Sequence, residues 1–116
     1  DAVVLNDPVT GQGSNNASKA AASYLASIRD HGDAPFDRAF MERAFERSWD
    51  EAQYVTGWTN ALLSPPPQHV LELLLAANEH QQIADRFVNG FNDPRDYFDW
   101  FMEPDKARRY LAAVAA

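Results

Sequence analysis

The stretch that decides the fold is DAVVLNDPVTGQGSNNASKAAASYL, residues 1–25. An apolar tract at 2–5 leads through an Asp-Pro pair to two glycines, Gly11 and Gly13, and then to an Ala/Ser-rich run. Glycine and proline interrupt regular structure, whereas alanine favours a helix. The order therefore predicts a short extended segment, a glycine loop and the start of a helix.

The rest of the chain is patterned for helices. Apolar residues recur at spacings of three and four, and no stretch after residue 13 alternates with period two. We expect an all-α fold of about five to six helices, with a short extended segment at 2–5. The predicted helices are 13–28, stopped by Gly32; a long one capped by Asp33 and running towards Leu63; 66–78; 82–88, stopped at Gly90; one capped by Asp93; and a last one from Pro104.

The composition excludes several classes of protein. A chain of 116 residues with a net charge of −7 predicts one domain with no broad basic patch for nucleic acid or anionic lipid. No apolar run is long enough for a membrane span. Without cysteine there are no disulfides or thiolate metal ligands, which fits the cytoplasm. His31, His69 and His80 are too far apart in sequence to predict a metal site.

The glycine loop has two possible roles. A glycine-rich loop that leads into a helix aims free backbone N–H groups at one point, where the helix dipole favours an anion or a polarised carbonyl. The spacing lacks the Gly-Lys-Ser/Thr of a P-loop and the third glycine of a dinucleotide fingerprint. From the pattern alone, a tight turn with a capped helix remains an alternative to a binding loop.

The pattern D-A-x-x-x-x-D-P-x-x-G-Q-G-x-N at 1–15 resembles the second flavin-binding motif of FAD-dependent monooxygenases of the para-hydroxybenzoate hydroxylase fold. The resemblance implies an aspartate that holds the ribitol of FAD, a loop against the isoalloxazine ring and helix-start amides facing the flavin pyrimidine oxygen. The implied cofactor residues are, in that order, Asp1; Pro8, Gly11, Gln12 and Gly13; and Ser14 and Asn15. No catalytic side chain and no metal ligand is implied.

Longer tracts resemble the oxygenase component of styrene and indole monooxygenases. These are DPVTGQGSNNASKAAASYL, FDRAFMERAFERSWDEAQYVTGWTNALLSPPPQHVLELL and FVNGFNDPRDYFDWF, in this order. The resemblance implies the C-terminal helical part of a larger α/β flavoprotein. In this interpretation, 1–32 form the second FAD-binding motif and 33–116 form a helical region on the substrate side.

The resemblance also implies a reaction and partners. The parent enzyme would transfer one oxygen atom from a C4a-peroxyflavin to an aromatic alkene or a similar apolar substrate. A separate NADH-dependent flavin reductase would supply reduced FAD, and the oxygenase would form a homo-oligomer. Because the upstream G-x-G-x-x-G unit is not in this sequence, we expect these residues alone to be inactive and to bind FAD weakly. The alternatives are a non-catalytic acidic helical interaction module and a single-component NAD(P)H-dependent aromatic hydroxylase.

Overall fold

A computed structural model describes residues 4–116, and over this range it is all-α, as predicted, with no β-strand. Of the predicted extended segment, residues 2 and 3 lie outside the described range, and residues 4–7 have no regular structure. A 3-10 turn, Pro8–Thr10, precedes six helices. These are α1 (Gly13–His31), α2 (Arg38–Ala61), α3 (Gln68–Ala76), α4 (Gln81–Gly90), α5 (Tyr97–Trp100) and α6 (Pro104–Val114).

Helix α1 begins at the predicted residue and continues up to the predicted stop at Gly32, so that its last residue lies three beyond the predicted range, but the predicted start of α2 is wrong. Gly32 follows α1 with φ 66°, the left-handed region that favours glycine at this position. Helix α2 begins at Arg38 rather than near Asp33, because Asp37 is the residue whose side chain caps it. The Oδ1 atom of Asp37 accepts a hydrogen bond from the backbone N–H of Phe40 at 2.8 Å.

The chain divides into two compact units, Asp1–Gly57 and Trp58–Ala116. Among residues 4–116, no helix is both long enough and apolar enough to cross a bilayer.

The first unit buries only part of the apolar side chains of α2 and of the segment before it. Its buried members are Phe40, Ala44, Ala52 and Val55. Three larger side chains, Phe36, Phe45 and Trp49, are instead 55%, 39% and 37% exposed. An exposed aromatic side chain is available for a contact outside the described fold.

The second unit has an aromatic core. Trp58, Tyr97, Trp100 and Phe101 are at most 2% exposed, and α6 packs against α3 and α5 around them. Trp58 stacks on Tyr97 with ring centroids 4.1 Å apart. Large aromatic side chains supply much of the burial available to a unit of this size.

An ion pair joins α4 to the residue that precedes α5. Arg86 donates two hydrogen bonds to Asp96, from Nε at 2.9 Å and from Nη2 at 2.6 Å. Trp100 Nε1 donates a third to the same carboxylate at 2.9 Å. The Arg86 guanidinium also lies over the rings of Trp100 and Tyr110 at 5.2 and 4.9 Å. The hydrogen bonds from Arg86 lower the pKa of Asp96, and those to Asp96 raise the pKa of Arg86.

We expect this pair to make the stability of the protein sensitive to acid. Because the folded-state pKa of Asp96 is lowered, its contribution is complete above the unfolded value of about 3.9 and is lost as pH falls through the folded value. Asp96→Asn should reduce the free energy of unfolding by roughly 1.5 kcal/mol at pH 7, and this difference should shrink below about pH 4. Urea unfolding at pH 7, 4 and 3 measures it. Asp99→Asn, at an exposed position of α5, is the control, and an equal effect of both variants would contradict the prediction.

Candidate functional site

The glycine loop has a defined conformation. Asp7 Oδ1 accepts a hydrogen bond from the N–H of Val9 at 3.0 Å, which starts the 3-10 turn. Gly11 ends the turn with φ 64°, and its N–H donates to Pro8 O at 2.9 Å. A side chain at this φ would be strained, so the turn requires glycine at position 11. The loop therefore delivers the chain to the start of α1 with glycine on either side of Gln12.

The start of α1 has backbone donors without an acceptor in the helix, and no acidic residue lies in its first turn. The first intrahelical bond runs from Asn16 N to Gln12 O at 2.8 Å, so the amides of Gly13, Ser14 and Asn15 have no acceptor within the helix. No acidic residue lies in the first turn, and the side chain of Gln12 makes no capping hydrogen bond. This end of α1 has the electrostatics that favour an anionic ligand.

An open cleft of about 480 Å³ lies along the loop and this helix end. It brings together four of the predicted cofactor residues with three others; its lining is Leu5, Asn6, Pro8, Gly11, Gly13, Ser14 and Ala17. An added Cβ at Gly11 or Gly13 would meet no atom within 4 Å, so the space above both glycines is open to a ligand.

Two of the other predicted cofactor residues, Gln12 and Asn15, do not line this cleft. Gln12 is only 2% exposed, and its Oε1 accepts a hydrogen bond from Asn15 Nδ2 at 3.3 Å. Both side chains thus hold the loop against the first turn of α1. Asp1 lies outside the described residues.

A second cleft, of about 270 Å³, lies between α1 and α2. It shares Asn6, Gly13 and Ala17 with the loop cleft. Its other lining residues are Val4, Asn16, Ala20, Tyr24, Phe45, Ser48, Trp49 and Ala52. We call it the aromatic cleft, because Tyr24, Phe45 and Trp49 are its largest side chains.

The described residues that line the two clefts do not form a set of metal ligands. Among residues 4–116, no group of three or more histidine, aspartate or glutamate side chains is placed to hold a metal ion. The polar groups near both clefts are backbone amides, amide side chains and hydroxyls, which suit hydrogen bonding to an organic ligand.

The comparisons with known proteins relate this chain to monooxygenases. No protein-family model matches it. Two curated relatives do, and both are styrene monooxygenase StyA. The protein from Pseudomonas fluorescens is 34% identical over 118 residues, covering 95% of this chain and 28% of the relative. The protein from Pseudomonas sp is 33% identical over 112 residues, covering 94% and 26%.

These matches confirm, over nearly the whole chain, the resemblance to styrene monooxygenase described in the sequence analysis. The chain spans only about a quarter of the length of these relatives. It is consistent with their C-terminal part, as predicted.

Two features of the site were not identified from the sequence. One is Asn6, whose Oδ1 atom is buried without a hydrogen-bond partner in the described part of the chain. The feature of the sequence that could have indicated it is one asparagine directly after the apolar tract at 2–5. The other is the aromatic cleft, because helical spacing does not distinguish an aromatic residue in a core from one beside a cavity.

Proposed function

We propose that the glycine loop and the start of α1 form part of the FAD site of a monooxygenase, which transfers one oxygen atom to a small apolar aromatic substrate such as an aromatic alkene. The observation that carries this proposal is the uncapped, anion-favouring start of α1 beside an open glycine surface. The sequence identity of 34% and 33% to two styrene monooxygenase StyA proteins supports it.

The described residues fit an isoalloxazine ring. When bound, reduced FAD would supply the oxygen-activating chemistry, and the protein would supply position, dryness and electrostatics. Gly11 and Gly13 leave room for a flat ring to approach the backbone. The amides of Ser14 and Asn15 would then donate to the electron-rich pyrimidine edge and favour the anionic reduced form. We assign no side chain as a general acid or base, because oxygen transfer to an alkene requires no proton to be removed from the substrate.

The proposal extends to the arrangement of the whole protein. We propose 1–32 as the second FAD-binding motif, with Asp1 at the ribitol, and 33–116 as the helical region on the substrate side. We also propose a separate NADH-dependent flavin reductase as the source of reduced FAD, a homo-oligomeric oxygenase and a cytoplasmic location.

A charge placed in the first turn of α1 tests the flavin site. In the full-length gene product, Ser14→Asp should weaken the binding of reduced FAD about fivefold. The added carboxylate would interact with the helix dipole by roughly 1 kcal/mol in place of the anionic ring. Binding of oxidised FAD should change less, because its ring is neutral. The same substitution should stabilise the helix. The free energy of unfolding should therefore rise while the affinity for reduced FAD falls. Anaerobic titration with dithionite-reduced and oxidised FAD measures both affinities.

The control is Ser18→Asp, which adds the same charge at an exposed position one turn further along α1. It should leave the affinity for reduced FAD nearly unchanged, because the dipole effect falls off within the first turn. Equal effects of the two variants, or tighter binding of reduced FAD by Ser14→Asp, would contradict the proposal.

The alternatives differ in what the full-length protein does. A two-component oxygenase forms product from an aromatic alkene only when a reductase supplies reduced FAD. A single-component hydroxylase reduces its own flavin with NAD(P)H. A non-catalytic helical module binds no flavin in either redox state.

A further inference from the structure

We propose that Gln12 is a positioning residue for the flavin. Through its hydrogen bond with the Asn15 side chain, it holds the helix-start amides of Ser14 and Asn15 in the direction that favours the reduced, anionic ring over the oxidised, neutral one. This inference rests on the proposed flavin site and deepens it, because it assigns the preference for one redox state to a side chain that does not line the cleft.

Gln12 is the anchor of the glycine loop. It is 2% exposed, whereas the four other residues at 11–15 are all exposed. The glycines on either side, Gly11 and Gly13, have more backbone freedom than any other residue type, and an added Cβ at either would meet no atom within 4 Å. The buried side chain between them therefore fixes the direction in which the chain enters α1.

Two hydrogen bonds join Gln12 to the first turn of α1. Its Oε1 accepts from Asn15 Nδ2 at 3.3 Å, and its backbone O accepts from Asn16 N at 2.8 Å. The amides of Gly13, Ser14 and Asn15 lie in the chain between Gln12 and Asn16 and have no acceptor within the helix. The two side chains thus hold the donors that the flavin proposal uses.

The direction of these amides matters more for the reduced ring than for the oxidised one. An N–H group stabilises an anion more strongly than a neutral carbonyl, and the gain is largest when the donor is fixed before the ligand binds. When the bond between Gln12 and Asn15 is broken, the donors are free to turn away. The affinity for the anionic ring should then fall more than the affinity for the neutral ring, whereas a residue that only stabilised the fold would change both alike.

Gln12→Leu and Asn15→Ala each break this hydrogen bond, and the double variant shows whether the two residues act together. In the full-length gene product, each change should lower the ratio of the affinities for reduced and oxidised FAD about three- to fivefold. The double variant should lower the ratio by no more than either change alone, because residues that act through one shared hydrogen bond are not additive. Anaerobic titrations with dithionite-reduced and with oxidised FAD measure the ratio.

Hydrogen exchange of the flavin-free protein is the second readout. The amide of Asn16, which donates to Gln12 O, should exchange about threefold faster in both variants. Gln81→Leu is the matched control, because Gln81 is an exposed glutamine in the first turn of α4 whose side chain bonds to Asp85 at 2.8 Å. It should change neither readout. If Gln12→Leu does not fold by circular dichroism, Asn15→Ala, a change at an exposed position, decides the matter.

The outcomes separate this inference from the flavin proposal. If Ser14→Asp changes the ratio while Gln12→Leu and Asn15→Ala do not, the flavin site stands and the positioning role is wrong. Equal losses of both affinities, or additive effects in the double variant, would also overturn the positioning role. If none of these variants changes the ratio, the flavin proposal fails and this inference fails with it.

Discussion

Replacing Trp58 by alanine is expected to lower the free energy of unfolding by about 4 kcal/mol, because the side chain is fully buried and its removal leaves a large cavity. The ring stacks on Tyr97 at 4.1 Å and meets Phe87, Phe91 and Phe101 edge-on at 6.1, 5.9 and 5.7 Å. All of these contacts lie in the second unit. Denaturant unfolding followed by far-UV circular dichroism measures the loss.

Two further variants separate the effect of the cavity on stability from the effect of removing an indole side chain. Trp58 Nε1 has no hydrogen-bond partner among residues 4–116, so Trp58→Phe should lose only part of the packing and no hydrogen bond. Trp49→Ala removes the same side chain from a position that is 37% exposed and should cost much less. If Trp49→Ala were as costly as Trp58→Ala, the assignment of the core to the second unit would be wrong.

Replacing Gly90 by alanine is expected to cost about 2–3 kcal/mol through overpacking. A Cβ at this position would lie 2.5 Å from Cε1 and Cζ of Tyr97 and 2.8 Å from its hydroxyl. The ring cannot move aside, because it is fully buried, stacks on Trp58 and donates its hydroxyl to Phe87 O at 2.6 Å. Thermal and denaturant unfolding should both show the loss, although alanine by itself favours a helix.

Gly13→Ala is the matched control for this prediction. An added Cβ there meets no atom within 4 Å, so the helix preference of alanine should act alone and leave stability equal or higher by up to about 1 kcal/mol. A Gly90→Ala protein as stable as Gly13→Ala would show that α4 and Tyr97 are not in close contact.

Helix starts and stops that depend on a single residue and its immediate neighbours could be predicted from the sequence. Gly32 ends α1 with a positive φ, and Pro104 begins α6, as predicted. Such signals work because they depend on the backbone of one turn. The start of α2 was misplaced because Asp33 and Asp37 are both suitable caps, and only the hydrogen bond to Phe40 distinguishes them.

The role of Gly90 shows why constraints from tertiary packing could not be predicted from the sequence. The sequence predicted that a helix stops at this glycine, and Gly90 is the last residue of α4, but it has no positive φ that would require glycine. It is glycine because the Tyr97 ring lies against its backbone. That constraint comes from the packing of α4 against a later part of the chain, which a local pattern does not contain.

For the candidate site, the sequence determined the loop, the helix start and the residue types that can face an anionic ring, because glycine conformation and helix polarity are local properties. Only the tertiary structure decided that Pro8, Gly11, Gly13 and Ser14 line one cleft while Gln12 is buried. It also decided that Phe45 and Trp49 stand at a cavity, whereas Trp58, on the same helix, lies in a core. The physical reason is that burial depends on what packs against a helix face, and the periodicity of one helix carries no information about its neighbours.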